Sequence, residues 1–200
     1  MIGIVGGSGA GKSTLSHLLL NAIGKNSACV IAQDNYYRDL SHVPFHKRTK
    51  INFDHLDDFD NDLFLSHIID LAEGKEVQIP IYDYFTHSRT GETQRVSPMD
   101  YVILEGLFLF TDRALRKRID LKVFVDVESD LRFIRRLQRD IVERGREVHS
   151  IIKQYLSTVK PMYEEFVKPQ KEQADMIISG NNNIEDGLSA ILSKMRELML

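Results

Sequence analysis

The chain has 200 residues, 42% hydrophobic and 28% charged, which suits a compact folded domain and excludes a disordered chain. A formal net charge of −3 argues against general affinity for nucleic acid. No run approaches the ~18 apolar residues of a membrane span, and Met1-Ile2-Gly3-Ile4-Val5 lacks the basic start of a secretory signal, so neither is expected.

In chain order, short apolar strands at 2–5, 28–32, 101–104, 121–127 and 176–178 alternate with segments of helical spacing at 13–23, 61–72, 130–142, 150–166 and 184–198. Apolar runs without polar alternation suit strands covered on both faces, and strands alternating with helices suit a parallel sheet. Residues 76–97 read as a hairpin excursion, and residues 34–60, polar, aromatic and acidic, read as a loop-rich acceptor region. No internal repeat or linker divides the chain, so residues 1–200 are expected to form one domain. The fold class is α/β: a parallel sheet of the P-loop NTPase type with helices on both faces, a β-hairpin excursion and an Arg-rich lid at about 130–150. Cys29, the single cysteine, lies in an apolar run and reads as a buried, inert thiol in a reducing cytoplasm.

Gly6-Gly7-Ser8-Gly9-Ala10-Gly11-Lys12-Ser13-Thr14 satisfies G-x-x-x-x-G-K-[ST], between a strand and an amphipathic helix. Its glycines let successive N–H groups point at phosphate oxygens, and the following helix aims its positive end there. Lys12 can bridge the β- and γ-phosphates, and the Ser13 hydroxyl can ligate Mg²⁺. The loop binds a nucleoside triphosphate without saying how its energy is used.

Asp34 directly follows the second strand, where strand C-termini line the ligand crevice of an open parallel sheet. It can accept the proton of an attacking hydroxyl, or cap a turn. Glu105 ends another apolar strand and can hold Mg²⁺ directly or through water, or be a plain strand-end charge. In 52–60, Asp60 and Asp62 suit the start of a helix. Asp54, upstream of that cap, can accept two hydrogen bonds from a vicinal diol such as a ribose, or serve the loop alone.

At about 100° per residue, Arg132, Arg135, Arg136 and Arg139 fall within roughly one third of a helical wheel, with Leu131, Ile134, Leu137 and Ile141 opposite. That pattern predicts a helix that buries its apolar face and presents guanidinium groups outward. Arg144-Gly145-Arg146 extends the charge, and the whole reads as a lid over the phosphates that stabilises the transferring group and excludes water. Asp34, Asp54, Asp57 and Asp58 would repel a phosphorylated acceptor, and Arg38, Lys47, Arg48 and Lys50 lie apart from them in the sequence. A neutral polyhydroxylated acceptor with an aromatic ring fits better. Tyr82, Tyr84, Phe85 and His87 could stack on a base and read its edge, or pack the hairpin.

Together the stretches at 6–14, 33–37, 52–55, 80–84, 104–106, 139–146, 154–155 and 158–161 resemble the uridine kinase (uridine–cytidine kinase) family, from Ile2 to about Ser179. The resemblance implies transfer of the γ-phosphate of ATP or GTP, with Mg²⁺, to the 5′-hydroxyl of uridine or cytidine, giving UMP or CMP. It implies Asp34 as general base, Asp54 with Arg136 on the ribose hydroxyls, and Tyr82 and His87 on the pyrimidine edge at C4 and N3. Phe53 and Tyr84 would sandwich the ring, with Tyr37 among the nucleoside contacts, Arg146 at the C2 carbonyl and Gln154 at the border. Arg139 and Arg144 would belong to the phosphate lid. A homotetramer inhibited by end-product triphosphates is also implied. The chain departs from the family at Leu56-Asp57-Asp58, where Pro-Asp-Ala is usual, at Tyr84, where phenylalanine is usual, and at Glu147, where aspartate is common.

Rival readings are a phosphoribulokinase-like or pantothenate kinase-like enzyme of the same architecture and, from another class, a nucleotide-dependent switch. The acidic acceptor region opposes a phosphorylated acceptor. No Asn-Lys-x-Asp guanine-reading motif supports a switch.

Overall fold

A computed structural model describes residues 1–48, 53–181 and 184–198; Lys50, named above, and the first residue of the 52–55 stretch lie outside them. In chain order the elements are β1 (Ile2–Gly6), α1 (Lys12–Ile23), β2 (Ala28–Ala32), α2 (Phe45–Arg48), α3 (Asn61–Ala72), β3 (Val77–Asp83) and β4 (Ser88–Val96). There follow β5 (Tyr101–Gly106), α4 (Arg113–Arg116), β6 (Leu121–Asp126), α5 (Ser129–Val142), α6 (Val148–Gln154), α7 (Lys160–Met162), β7 (Met176–Ser179) and α8 (Ile184–Leu198). Two compact units result: Met1–Ile31 with Asp100–Leu200, and Ala32–Met99. Among the described residues no helix is long and apolar enough to cross a membrane.

The first unit is built on the five-stranded sheet of order β2-β5-β1-β6-β7. β1 pairs in parallel with β5 and β6, and β6 with β7. Every residue of β1 is buried, as expected of a central parallel strand covered on both faces. Ile2, Ile4, Ile103, Leu121, Val123 and Val125 pack with Leu15 and Leu19 of α1 and Ile191 and Met195 of α8. Alternate residues serve the other face, where Gly3 lies against Ile119 and Phe110. The strand and most helix positions therefore follow the apolar pattern.

The helix expected at 150–166 differs. It starts at Val148 and is interrupted by wide π turns at Tyr155–Val159 and Tyr163–Val167. Pro161 explains the break, because an interior proline lacks the N–H that an α-turn needs and crowds the preceding turn. Cys29 also differs in degree: its thiol is partly buried, and burial pushes its pKa up to about 11, which keeps it protonated and inert.

In the second unit β3 and β4 form the antiparallel hairpin read from 76–97, with Tyr82 opposite Arg89 and Asp83 opposite Ser88. Asp83 ties the turn by accepting from the Phe85 and Thr86 backbone N–H groups and from the Thr86 hydroxyl. The Asp60 side chain caps α3 at Leu63 N, as its sequence position predicts.

Candidate active site

The phosphate loop runs from the end of β1 into α1, and Glu105 lies beside it because Ile4 and Glu105 are register partners of β1 and β5. Gly11 caps α1 without a side-chain hydrogen bond, so the first-turn N–H groups face the loop and suit an anion. Lys12 Nζ donates to the Gly7 carbonyl at 3.3 Å. Ser13 Oγ lies 2.8 and 2.9 Å from the two oxygens of the buried Glu105 carboxylate. A hydroxyl and a carboxylate converging beside a phosphate cradle form an all-oxygen set of the kind that suits a hard cation such as Mg²⁺.

Helix α5 corrects the expectation of outward arginines. Its buried stripe is Arg132, Arg136 and Asp140, while Ile134 and Ile141 are 47% and 40% exposed; Leu131 packs at the edge of the core. The polar stripe turns inward because each guanidinium finds partners there. Arg132 Nε donates to the Val127 carbonyl at 3.0 Å, and its guanidinium carbon sits 3.7 Å from the centre of the Tyr163 ring. Arg136 donates to Ser8 Oγ at 3.0 Å and to Gln154 Oε1 at 3.1 Å. Arg146 donates to the same Gln154 oxygen at 2.7 Å. Buried charge is tolerated only when paired and hydrogen-bonded, and a wheel drawn from hydropathy alone cannot see those partners.

The close approach of α5 to the loop depends on Gly9. A side chain there would run into the Arg132 carbonyl oxygen, and the residue has a φ of +79°.

The second unit gathers the aromatic and acidic candidates. Asp34 lies in a 3₁₀ turn, Gln33–Tyr36, immediately after β2, and Tyr84 Oη donates to Asp34 Oδ2 at 2.9 Å. The buried Tyr37 ring stacks on Phe59 at 4.2 Å and lies 5.7 Å from Phe53 and 4.9 Å from Tyr82. Burial first, then the Asp34 and Asp54 carboxylates, push the Tyr37 phenol well above its ordinary pKa, so it stays protonated as a donor. Asp54 is itself buried. Burial, with Asp54 and Asp57 adding to it, lifts the Asp58 carboxyl. Phe53 stacks on His87 at 5.2 Å with 13° between the rings, and His87 has a left-handed φ of 53°, a conformation uncommon outside glycine.

Three arginines of this unit are engaged elsewhere. Arg48 donates to the Val43, Thr86 and Ser41 carbonyls, and Arg38 to the Asp57 carbonyl. Arg89 donates to the Tyr37 carbonyl at 2.8 Å and to Asp60 at 3.2 Å.

A family model described as Phosphoribulokinase / Uridine kinase family matches residues 1–184. The chain belongs to that family. It is 45% identical over 195 residues to a uridine kinase of Chloroflexus aurantiacus, covering 98% of this chain and 93% of that protein. It is 42% identical over 199 residues to the uridine kinase of Ligilactobacillus salivarius, covering 100% of this chain and 93% of the other. Among solved structures, phosphoribulokinase from Rhodobacter spheroides superposes with a TM-score of 0.64 at 16% identity, over 90% of this chain and 69% of that one. D-glycerate 3-kinase from Cryptococcus neoformans does so with 0.57 at 18%, over 82% and 77%. At such identities these two speak for the fold alone, and they agree on a P-loop kinase architecture.

Within this family member, Gly6–Thr14, Glu105, Arg136, Arg139, Arg144, Arg146 and Gln154 belong to the first unit, and Asp34, Tyr37, Phe53, Asp54, Tyr82, Tyr84 and His87 to the second. Sequence reasoning assigned nothing to Asp140 or Tyr163, and it placed Arg132 in the lid rather than against Val127 and Tyr163. The spacing Arg136, Asp140, Arg144 was the available signal, since residues four apart share a helix face.

Proposed function

We propose that the chain is a uridine kinase that transfers the γ-phosphate of ATP to the 5′-hydroxyl of uridine or cytidine, giving UMP or CMP for pyrimidine salvage. The observation that carries this is the second unit's combination of stacked rings and buried acid, Phe53 on His87 with Asp54 only 7% exposed, while Arg38, Arg48 and Arg89 are spent on backbone carbonyls. An aromatic, uncharged diol suits that surface, and a sugar phosphate does not. The named relatives support the same choice within the family.

In this reading Asp34, oriented by the Tyr84 hydroxyl, accepts the proton of the 5′-hydroxyl. Asp54 and Arg136 hold the ribose hydroxyls; Tyr82 and His87 read the pyrimidine edge. Phe53 and Tyr84 flank the ring, and Tyr37, Arg146 and Gln154 complete the nucleoside contacts. Lys12, Arg139 and Arg144 stabilise charge on the transferring group, and the backbone of Gly6 to Thr14 cradles the donor phosphates. Ser13 and Glu105 would hold Mg²⁺, which supplies neutralisation of the β- and γ-phosphate charge. GTP is a second donor. We further propose that residues 1–200 act as one kinase domain in the cytoplasm. A homotetramer is consistent with exposed Ile134, Ile141, Val148 and Ile152 on α5 and α6, since exposed apolar clusters mark contact surfaces.

The test is ADP release from ATP and Mg²⁺ with uridine, cytidine, adenosine, ribulose 5-phosphate, pantothenate or no acceptor. Release with uridine or cytidine is expected. Release only with ribulose 5-phosphate or pantothenate would overturn the reading of Phe53, Tyr82 and His87, and acceptor-independent release would overturn the kinase reading.

A further inference from the structure

Asp140 is wholly buried on α5, yet it faces cations on every side. Its Oδ1 accepts from Arg139 at 2.8 and 3.1 Å and lies 3.8 Å from Arg144. Its Oδ2 accepts from Arg146 at 3.0 Å and lies 3.7 Å from Arg136 Nε. Its backbone carbonyl accepts from the Arg146 N–H at 3.0 Å, which closes the turn after α5 around the same residue. Burial alone would push this carboxyl up, but Arg136, Arg139 and Arg144 outweigh it and hold it below the ordinary carboxylate range. It is therefore ionised throughout the neutral range.

One negative charge cannot neutralise four guanidinium groups. A net positive cluster beside a phosphate loop would scatter by mutual repulsion if nothing tied it together. Asp140 ties it together. The tie reaches the loop through Arg136, which donates to Ser8, and it reaches Gln154 through both Arg136 and Arg146.

We propose that Asp140 is a positioning residue for phosphoryl transfer: its buried carboxylate stands in for donor phosphate, converging Arg136, Arg139, Arg144 and Arg146 before the nucleotide arrives. The inference rests on the kinase reading for its rate consequences but not for its binding consequences. Preorganised charge stabilises the transition state without reorganisation during the reaction. The same carboxylate competes with phosphate for the guanidinium groups, so it weakens ground-state anion binding while it supports turnover. A residue that merely holds the fold together would strengthen both.

The decisive variant is Asp140→Asn, nearly isosteric and uncharged. Calorimetric titration of inorganic tripolyphosphate should show binding tighter by about tenfold, because one nearby negative charge is gone. Uridine turnover should fall by roughly 100-fold in kcat, as expected for a lost electrostatic arrangement. Asp140→Glu, which keeps the charge, should restore wild-type tripolyphosphate affinity. If Asp140→Asn does not fold, the pair Arg139→Gln with Asp140→Asn is compared with Arg139→Gln alone; the pair should bind tripolyphosphate more tightly and turn over more slowly than that single variant. Unchanged kcat in folded Asp140→Asn overturns the proposal, as does tripolyphosphate binding by that variant no tighter than the wild type's. Should the wild type fail to phosphorylate uridine, the kinase reading falls, and the tripolyphosphate titrations still decide the role of Asp140.

Discussion

Replacing Gly9 by alanine tests whether the phosphate loop is shaped by the helix packed against it. At Gly9 the backbone has a φ of +79°, and an added Cβ would meet the Arg132 carbonyl oxygen while standing 3.1 and 3.2 Å from its carbonyl carbon and Cα. The left-handed conformation costs about 1–2 kcal/mol for a residue with a Cβ, and overpacking against a backbone that cannot rotate away adds about 1–3 kcal/mol. The sum, about 2–5 kcal/mol, corresponds to a melting-temperature drop of roughly 4–20 °C for a chain of this size. Gly74 isolates the first contribution, since its φ is also +79° and nothing lies within 4 Å of the place a Cβ would occupy. Gly74→Ala should therefore lose about 1–2 kcal/mol, roughly 2–8 °C. Thermal melts of both variants, with ATP titrated against each, separate the contributions. Gly9→Ala should show the larger drop and weaker ATP binding, and Gly74→Ala should bind ATP as the wild type does. Equal melting shifts with equal ATP affinity would refute the claim that α5 determines the loop's shape.

Asp34→Asn should lower kcat by about 10²–10⁴-fold, the range for removal of a general base, and near-normal turnover would remove Asp34 from that role. Glu105→Gln should raise the Mg²⁺ concentration needed for half-maximal rate, while ADP binding measured without metal stays near the wild-type value; an unchanged Mg²⁺ dependence would count against Glu105 as a metal-holding group. The pKa of Asp39 is lowered from 3.8 to about 2, chiefly by the hydrogen bond from Ser88 and then by Ser41. Because the folded value lies below the ordinary one, this contribution is complete above about pH 4 and is lost as pH falls toward 2. Ser88→Ala should accordingly melt below the wild type near neutral pH, with the gap narrowing in acid, and a gap that widens below about pH 4 would contradict the assignment.

Much was legible in the chain itself. The apolar run Ile2-Gly3-Ile4-Val5 became a strand within one residue of its expected bounds, because a strand buried on both faces must be apolar throughout. The phosphate loop, its flanking strand and helix, and the turn residues of the hairpin are local features, and local chemistry determines them. The stretches quoted from 6–14 to 158–161 were enough to place the chain in its family, since each has a fixed order and spacing.

Tertiary structure decided what depends on partners distant in sequence. Hydropathy put the arginines of α5 on an outward face, read as a lid over the phosphates, but Ser8, Val127, Gln154 and Tyr163 supply acceptors and a ring face that make burial favourable. Asp140 is one acid in a basic run of the sequence, and folding brings Arg146 back to it across the turn at Gly145. The Tyr84 hydroxyl and Asp34 are 50 residues apart in the chain, and no periodicity links them. Periodicity reports which side of an element is apolar; the energy of a buried charge is set by what surrounds it in space.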